Sequence, residues 1–208
     1  PYGQRAITTG WGRHFQVSIT VCSTSFLVWF MPLQKFADHF QAPWPNGRGT
    51  SYEIASQTPG VAGWTWRVAI APVIEDCDFS HFENIHRQLL IISGGEMILN
   101  VGGETVVCRP GEVAEFAGDI PTTARLVNGP IVALNLMTMR GKVSGKMTFV
   151  DRPGELTKCE MLVAVSQTAE ITVDDELFIL HHQDAFLDAS NCKIHLNNGT
   201  LAHITLNN

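Results

Sequence analysis

The sequence predicts an all-β protein, and three observations carry that prediction. Short apolar runs such as Leu89-Leu90-Ile91-Ile92, Met97-Ile98-Leu99 and Val106-Val107-Cys108 recur along the chain. Turns built from 18 Gly, 10 Pro and several Asn separate them. No amphipathic segment of helix length intervenes, which is the pattern of successive antiparallel strands closing into a sandwich or barrel. With 45% hydrophobic and only 16% charged residues, the 208-residue chain is too apolar for disorder. A chain of this size buries roughly 70% of its unfolded surface, enough for one double-barrel unit or two small domains.

The elements follow in order. Residues 1–30 stand apart: Phe15 to Phe30 is apolar but carries Ser and Thr. It is shorter than the roughly 20 residues a membrane span needs, lacks a small-residue cleavage site, and is β-branched enough for a strand. A natural start at Met31 is equally compatible with it. Met31 to Phe40 reads as a strand or a short helical turn. Ala42 to Thr50, with Pro43, Pro45, Gly47 and Gly49, reads as an irregular loop whose polar tips are Asn46, Arg48 and Thr50. Tyr52-Glu53-Ile54-Ala55 is a strand and Gln57-Thr58-Pro59-Gly60 a turn. Over Trp64 to Ala71, alternation places Arg67, Ala69 and Ala71 on one face and Trp66, Val68 and Ile70 on the other. If Arg67 faces inward its guanidinium needs a carboxylate, because an unpaired buried charge costs several kcal/mol.

Ser93-Gly94-Gly95-Glu96 has the spacing and composition of a hairpin turn, as does Asn197-Asn198-Gly199-Thr200. Gly102-Gly103, Pro110-Gly111, Gly118-Asp119 and Asn128-Gly129-Pro130 separate further strands that end near Thr138. Beyond Gly141 strand candidates continue at Cys159 to Ser166, Ile171 to Val173, Leu177 to Leu180, Ala185 to Leu187, Ile194 to Leu196 and Leu201 to Leu206. We therefore expect a first barrel with a ligand pocket over residues 31–141 and a second, smaller one over 142–208 that shares strands with it.

Charge and cysteine usage narrow the function. A formal net charge of -6 with no clustered basic surface excludes a nucleic-acid scaffold. The five cysteines, Cys22, Cys77, Cys108, Cys159 and Cys192, are scattered, odd in number and without a Cys-x-x-Cys pair, which points to reduced thiols and a cytoplasmic location. His181 and His182 are adjacent, so on a strand they face opposite ways and cannot chelate one ion. His195 and His203 read as partly exposed polar residues. No Gly-x-Ser-x-Gly elbow and no phosphate loop occurs.

Several separated motifs resemble, in the right order, the signature of the HutD/Ves family. They are Pro43-Trp44-Pro45-Asn46-Gly47-Arg48-Gly49-Thr50 with Glu53, Trp66-Arg67-Val68-Ala69-Ile70-Ala71, Phe79-Ser80-His81-Phe82, Arg87, Gly95-Glu96, Phe116-Ala117-Gly118-Asp119, Arg125-Leu126 and Leu134 to Gly141. The resemblance covers about residues 31–206 and departs at Arg48 and Pro45, where the family commonly has a glycine and a lysine. It implies a cupin-like double-stranded β-barrel, a bicupin with two barrels in one chain, and a role in bacterial histidine utilisation. There the family is thought to bind or sense formylglutamate or formiminoglutamate.

Laying the metal-binding cupin spacing on this chain puts His81 first, Glu83 second, Arg87 at the usual Glu and Gly94 at the glycine, with no histidine after Gly118. Those residues cannot assemble a metal site, and Arg87 repels a cation. No metal or other cofactor is expected. The same substitution suits an anion, since a guanidinium pairs bidentately with a carboxylate. The expected ligand-binding set is Arg67, Arg87 and Arg125, with Asn46 and Thr50 at the rim and His81 or Asn135 on a polar tail. The expected partner is a small carboxylate, a glutamate derivative; neither nucleic acid nor membrane is expected, and a homodimer is compatible. The competing reading is an enzyme, an isomerase or hydrolase on the same acids, with His81 or Glu53 as general base.

Overall fold

Alternation along the strands, apolar on one side and mixed on the other, stacks this chain into layers. A computed structural model describes residues 33–58 and 63–207. Within them regular structure is strand throughout, apart from two single 3-10 turns at Phe36–Asp38 and Ala189–Asn191. The all-β expectation holds. Residues 1–30, Cys22 among them, and Pro59-Gly60 of the expected turn lie outside the described residues.

A six-stranded sheet runs in the spatial order Phe40–Pro43, Thr50–Ser56, Trp66–Val73, Ile131–Met139, Ile85–Gly94, Val113–Ala117. Facing it is a four-stranded sheet of Cys77–Asp78, Thr122–Leu126, Met97–Val101 and Glu104–Cys108. The second unit repeats the plan, with a five-stranded sheet (Leu33–Gln34, Ala185–Leu187, Met161–Ala164, Leu201–Asn207, Ser144–Val150) under a four-stranded one (Gly154–Leu156, Ile194–Asn198, Thr168–Val173, Glu176–His181).

Each sheet pair encloses a core: Leu89, Ile91, Met97, Leu99 and Ile131 in the first, Leu162, Ile171, Leu180, Phe186 and Leu196 in the second. A third core lies between the backs of the six- and five-stranded sheets, where Val68, Ile70, Leu90, Leu134 and Leu136 meet Met147, Met161, Val163, Leu187 and Ile204. Gln88 bridges this seam, donating through Nε2 to the Gly145 carbonyl at 2.8 Å and accepting the Met147 N–H at 2.7 Å. Each described strand belongs to a single sheet, and the units meet through this core and through Leu33–Gln34, a strand from the 31–141 range that joins the five-stranded sheet of the second unit.

The turns differ from expectation. Ser93 to Glu96 is not a hairpin: Ile85–Gly94 belongs to the six-stranded sheet and Met97–Val101 to the four-stranded one, so the chain turns a corner between layers. Gly94 has φ +94°, and a Cβ there would come within 2.3 Å of the Pro130 carbonyl oxygen. Asn198-Gly199 makes the equivalent corner in the second unit, where a Cβ on Gly199 would stand 2.5 Å from the Thr168 carbonyl oxygen. The turn residues were read correctly, but the partner sheet is chosen by tertiary packing. Pro43 is also accommodated in a strand, paired with Thr50, because that strand is the sheet edge.

The start of the described chain ties the two units together. Leu33 and Gln34 pair with Phe186 and Ala185 of the second unit, and six residues later Phe40 pairs with Glu53 of the first. Between them the buried Asp184 carboxylate accepts from Lys35 Nζ at 2.8 Å and from the Phe36 and His181 N–H groups at 3.0 Å each. His203 is buried against the Thr157 carbonyl oxygen at 2.9 Å, contrary to the partly exposed position expected, because it faces inward from the central Leu201–Asn207 strand. Cys77, Cys108, Cys159 and Cys192 are free thiols, and burial pushes Cys108 up to about 11 and Cys159 to about 12. Among the described residues no helix is long and apolar enough to cross a membrane.

Two outcomes follow for urea unfolding. Gly94→Ala loses about 3 kcal/mol or more of stability, whereas Gly103→Ala, at φ +100° with open space around it, loses only about 1–2 kcal/mol. Burial alone would raise the pKa of Asp184, but the Lys35, Phe36 and His181 hydrogen bonds bring it below the ordinary value of 3.8. Its contribution is thus complete above the unfolded pKa and lost as pH falls through the folded one. Asp184→Asn should cost about 1–3 kcal/mol at pH 7 and a smaller amount at pH 2–3, measured by parallel unfolding curves.

Candidate functional site

The inner face of the six-stranded sheet carries the site. Arg67, Met137 and Arg87 lie in one cross-strand row, because Met137 is in register with Arg67 on one side and with Arg87 on the other. Two strand spacings put the arginine backbones roughly 10 Å apart, close enough for their side chains to share a pocket. The next rows toward the corner are Ala69, Asn135, Leu89 and then Ala71, Ala133, Ile91. Small alanines at the centre leave a void that larger residues would fill. It is a pocket of about 50 Å³, floored by Ala69, Ala71 and Ala133, with Arg67, Arg87, Asn135 and Ser51 as its polar wall. Trp44 and Pro45 on one side and Phe79, Ser80 and Phe82 on the other form its lip.

The two arginines are in different electrostatic states. Arg67 Nε lies 2.8 Å from Glu53 Oε2 in an ion pair not aligned as a hydrogen bond, and its Nη2 donates to Ser51 Oγ at 3.0 Å. A β-bulge between Glu53 and Ala55 re-aims this strand, so that Glu53 also accepts from Ser56 Oγ at 2.8 Å. Arg87 is 7% exposed and has no acidic partner among the described residues. Its Nη2 donates to Asn135 Oδ1 at 2.9 Å, and its Nε is buried without a hydrogen bond. Aromatic faces take part of the charge: the guanidinium carbon lies 4.8 Å from the ring centre of Phe79, 5.0 Å from Phe116 and 5.8 Å from Phe82. Burial first, and then the neighbouring charge of Arg67, lowers its pKa to about 10, so it stays protonated at neutral pH.

Of the expected ligand-binding residues, Arg67, Arg87 and Asn135 converge on this pocket and four do not. Arg125 is exposed, because Thr122 and Ala124 take the inner face of its strand and alternation turns Arg125 outward. His81 is exposed beside Glu83, with Nε2 3.3 Å from Oε2, while Phe79 and Phe82 take the inward positions. Thr50 points with Tyr52 to the opposite side of its strand, into a separate surface groove. Asn46 holds the lip in place instead of presenting its amide to the pocket: Nδ2 donates to the Asp78 carbonyl at 2.8 Å and Oδ1 accepts the Arg48 N–H at 3.1 Å. As general bases, then, His81 is outside the pocket and Glu53 is already engaged by Arg67 and Ser56. Sequence reasoning missed Ser51, Phe79 and Phe82 as pocket residues; the parity of Ser51 with Glu53 was the available signal. Among the described residues no group of three His, Cys, Asp or Glu is arranged to hold a metal.

The HutD family model matches residues 36–205. The chain belongs to the HutD family. This HutD chain is 32% identical over 111 residues to Protein Ves of Citrobacter koseri, covering 52% of this chain and 58% of that protein, less than two thirds of its length. It is 26% identical over 148 residues to an uncharacterised 21.2 kDa protein in the hutC 3' region of Pseudomonas putida, covering 69% and 78% of the two chains. The structure of HutD from Pseudomonas fluorescens SBW25, in a formate condition, superposes with a TM-score of 0.69 at 27% identity over 85% of this chain and 98% of that one. A cupin 2 conserved barrel domain protein from Leptotrichia buccalis shares the fold alone, with a TM-score of 0.51 at 9% identity over 84% and 94% of the chains. The architecture is therefore cupin-like, and the family is associated with histidine utilisation.

The contrast between the arginines is measurable. Arg87→Met removes an uncompensated buried charge and should unfold at equal or higher urea concentration, by up to about 3 kcal/mol. Arg67→Met leaves Glu53 buried without its partner and should cost about 3–5 kcal/mol. Equilibrium unfolding of the two variants beside wild type checks both.

Proposed function

We propose that this HutD-family protein binds a small carboxylate in the first-barrel pocket and uses that binding to regulate histidine utilisation. One observation carries the reading: Arg87 places a buried guanidinium in an aromatic-walled pocket with no acidic partner among the described residues. A carboxylate entering the pocket would supply the missing counter-charge and accept from Nε, forming the bidentate pair a guanidinium favours. Asn135 and Ser51 add neutral hydrogen-bonding groups beside it.

Size refines the ligand. A water needs on the order of 10–15 Å³ of such space, so a pocket of about 50 Å³ takes a carboxylate group and a few further atoms. Formylglutamate or formiminoglutamate, the ligands suggested by the family association, would insert one end and leave the remainder at the mouth between Trp44 and Phe82. Retention of the ligand unchanged, with its occupancy read by the rest of the regulatory system, is the role that fits a pocket whose carboxylate is tied up and whose nearest histidine lies outside.

Titration calorimetry of the whole chain with formate, formylglutamate, formiminoglutamate and glutamate tests the reading. Saturable binding is expected for at least one of them, weakened roughly 10- to 100-fold in Arg87→Met, the scale of a lost charge-assisted hydrogen bond. Absence of heat with all four, together with no rise in unfolding temperature, would overturn it.

A further inference from the structure

We infer that Glu53 fixes the charge the pocket accepts: the buried part takes one carboxylate and refuses a second, so a dicarboxylate enters by one end only. This rests on the carboxylate reading above and deepens it. Both Arg67 and Arg87 line the pocket, and two guanidiniums would ordinarily invite a dianion. Glu53 changes that sum. It is 6% exposed, stands 2.8 Å from Arg67 Nε, and is held in place by Ser56 Oγ at 2.8 Å. Arg67 is held on a second side by Ser51. Two positive charges and one negative leave a single positive charge, and Arg87 is where it resides.

A second carboxylate brought to Arg67 would have to approach the Glu53 carboxylate in a low-dielectric pocket, where like charges repel strongly. The remaining surface agrees with a monoanion head on an uncharged stem. The floor of Ala69, Ala71 and Ala133 offers no charge, and Asn135, whose Oδ1 already accepts from Arg87, has only a neutral amide to offer. Glu53 is thus a specificity-determining residue that acts through Arg67. Selecting one end of a glutamate derivative would let the protein read the rest of the molecule at the pocket mouth.

Calorimetry with butyrate and succinate isolates the effect, since succinate is butyrate with a carboxylate in place of its terminal methyl group. Wild type should bind the two within roughly threefold of each other. Glu53→Gln frees Arg67 and should shift the ratio about tenfold or more toward succinate, while Glu53→Asp, which keeps the charge, retains the wild-type ratio. Succinate binding to wild type about tenfold tighter than butyrate would overturn the inference, as would an unchanged ratio in a Glu53→Gln protein that still binds butyrate. Should Glu53→Gln fail to fold, the wild-type ratio decides by the same criterion. If wild type binds neither acid and no formate, the carboxylate reading itself falls, and this inference with it.

Discussion

The two faces of the strand Ile131–Met139 impose the constraint on which the rest of the molecule depends. Leu134 and Leu136 point back into the core between the units, while Ala133, Asn135 and Met137 point into the pocket. Because side chains alternate strictly, the strand cannot slip by one residue without driving Asn135 into the middle core and a leucine into the site. Hydrogen bonding to Trp66–Val73 on one side and Ile85–Gly94 on the other then carries that register to Arg67 and Arg87. Fold register and site geometry are one specification.

A price in stability accompanies the site. An arginine buried without an acid is unfavourable by itself, and the aromatic cage of Phe79, Phe82 and Phe116 compensates only in part. A buried cation of this kind is a local destabilisation that the surrounding fold tolerates. The neighbouring Arg67 shows the contrasting solution, with Glu53 supplied from the next strand by way of a bulge.

Much of this was legible in the sequence where residue type and alternation agreed. Apolar runs and turn residues specify an all-β chain, whereas alternation alone left the face of the arginine between Trp66 and Val68 open, and the structure turns it inward. Arg125 and His81 were misplaced because they were judged by chemistry alone; the parity of Ala124, and the two phenylalanines flanking His81, argue for exposure. Ser144–Val150 went unread because only Met147, Phe149 and Val150 interrupt a polar run, and its place comes from pairing with Leu201–Asn207 and from hydrogen bonds exchanged with Gln88 that no local pattern announces. The corners at Gly94 and Gly199 were legible as turns but not as corners. A glycine reports a backbone conformation, whereas the sheet that receives the next strand is decided by contacts far away in sequence.

The middle core has a bearing on modularity. Although each unit closes around an interior of its own, the leucine-bearing back of the larger sheet and the methionine-bearing back of its counterpart cover one another, with Phe36 and Val143 closing the edges of the same core. Severing the chain near residue 141 would leave each fragment with a broad greasy flank open to water, and the tether from Leu33 to Phe40 would dangle across the break. The duplicated plan therefore differs from two separate modules: the half that carries the pocket shares its back with the other.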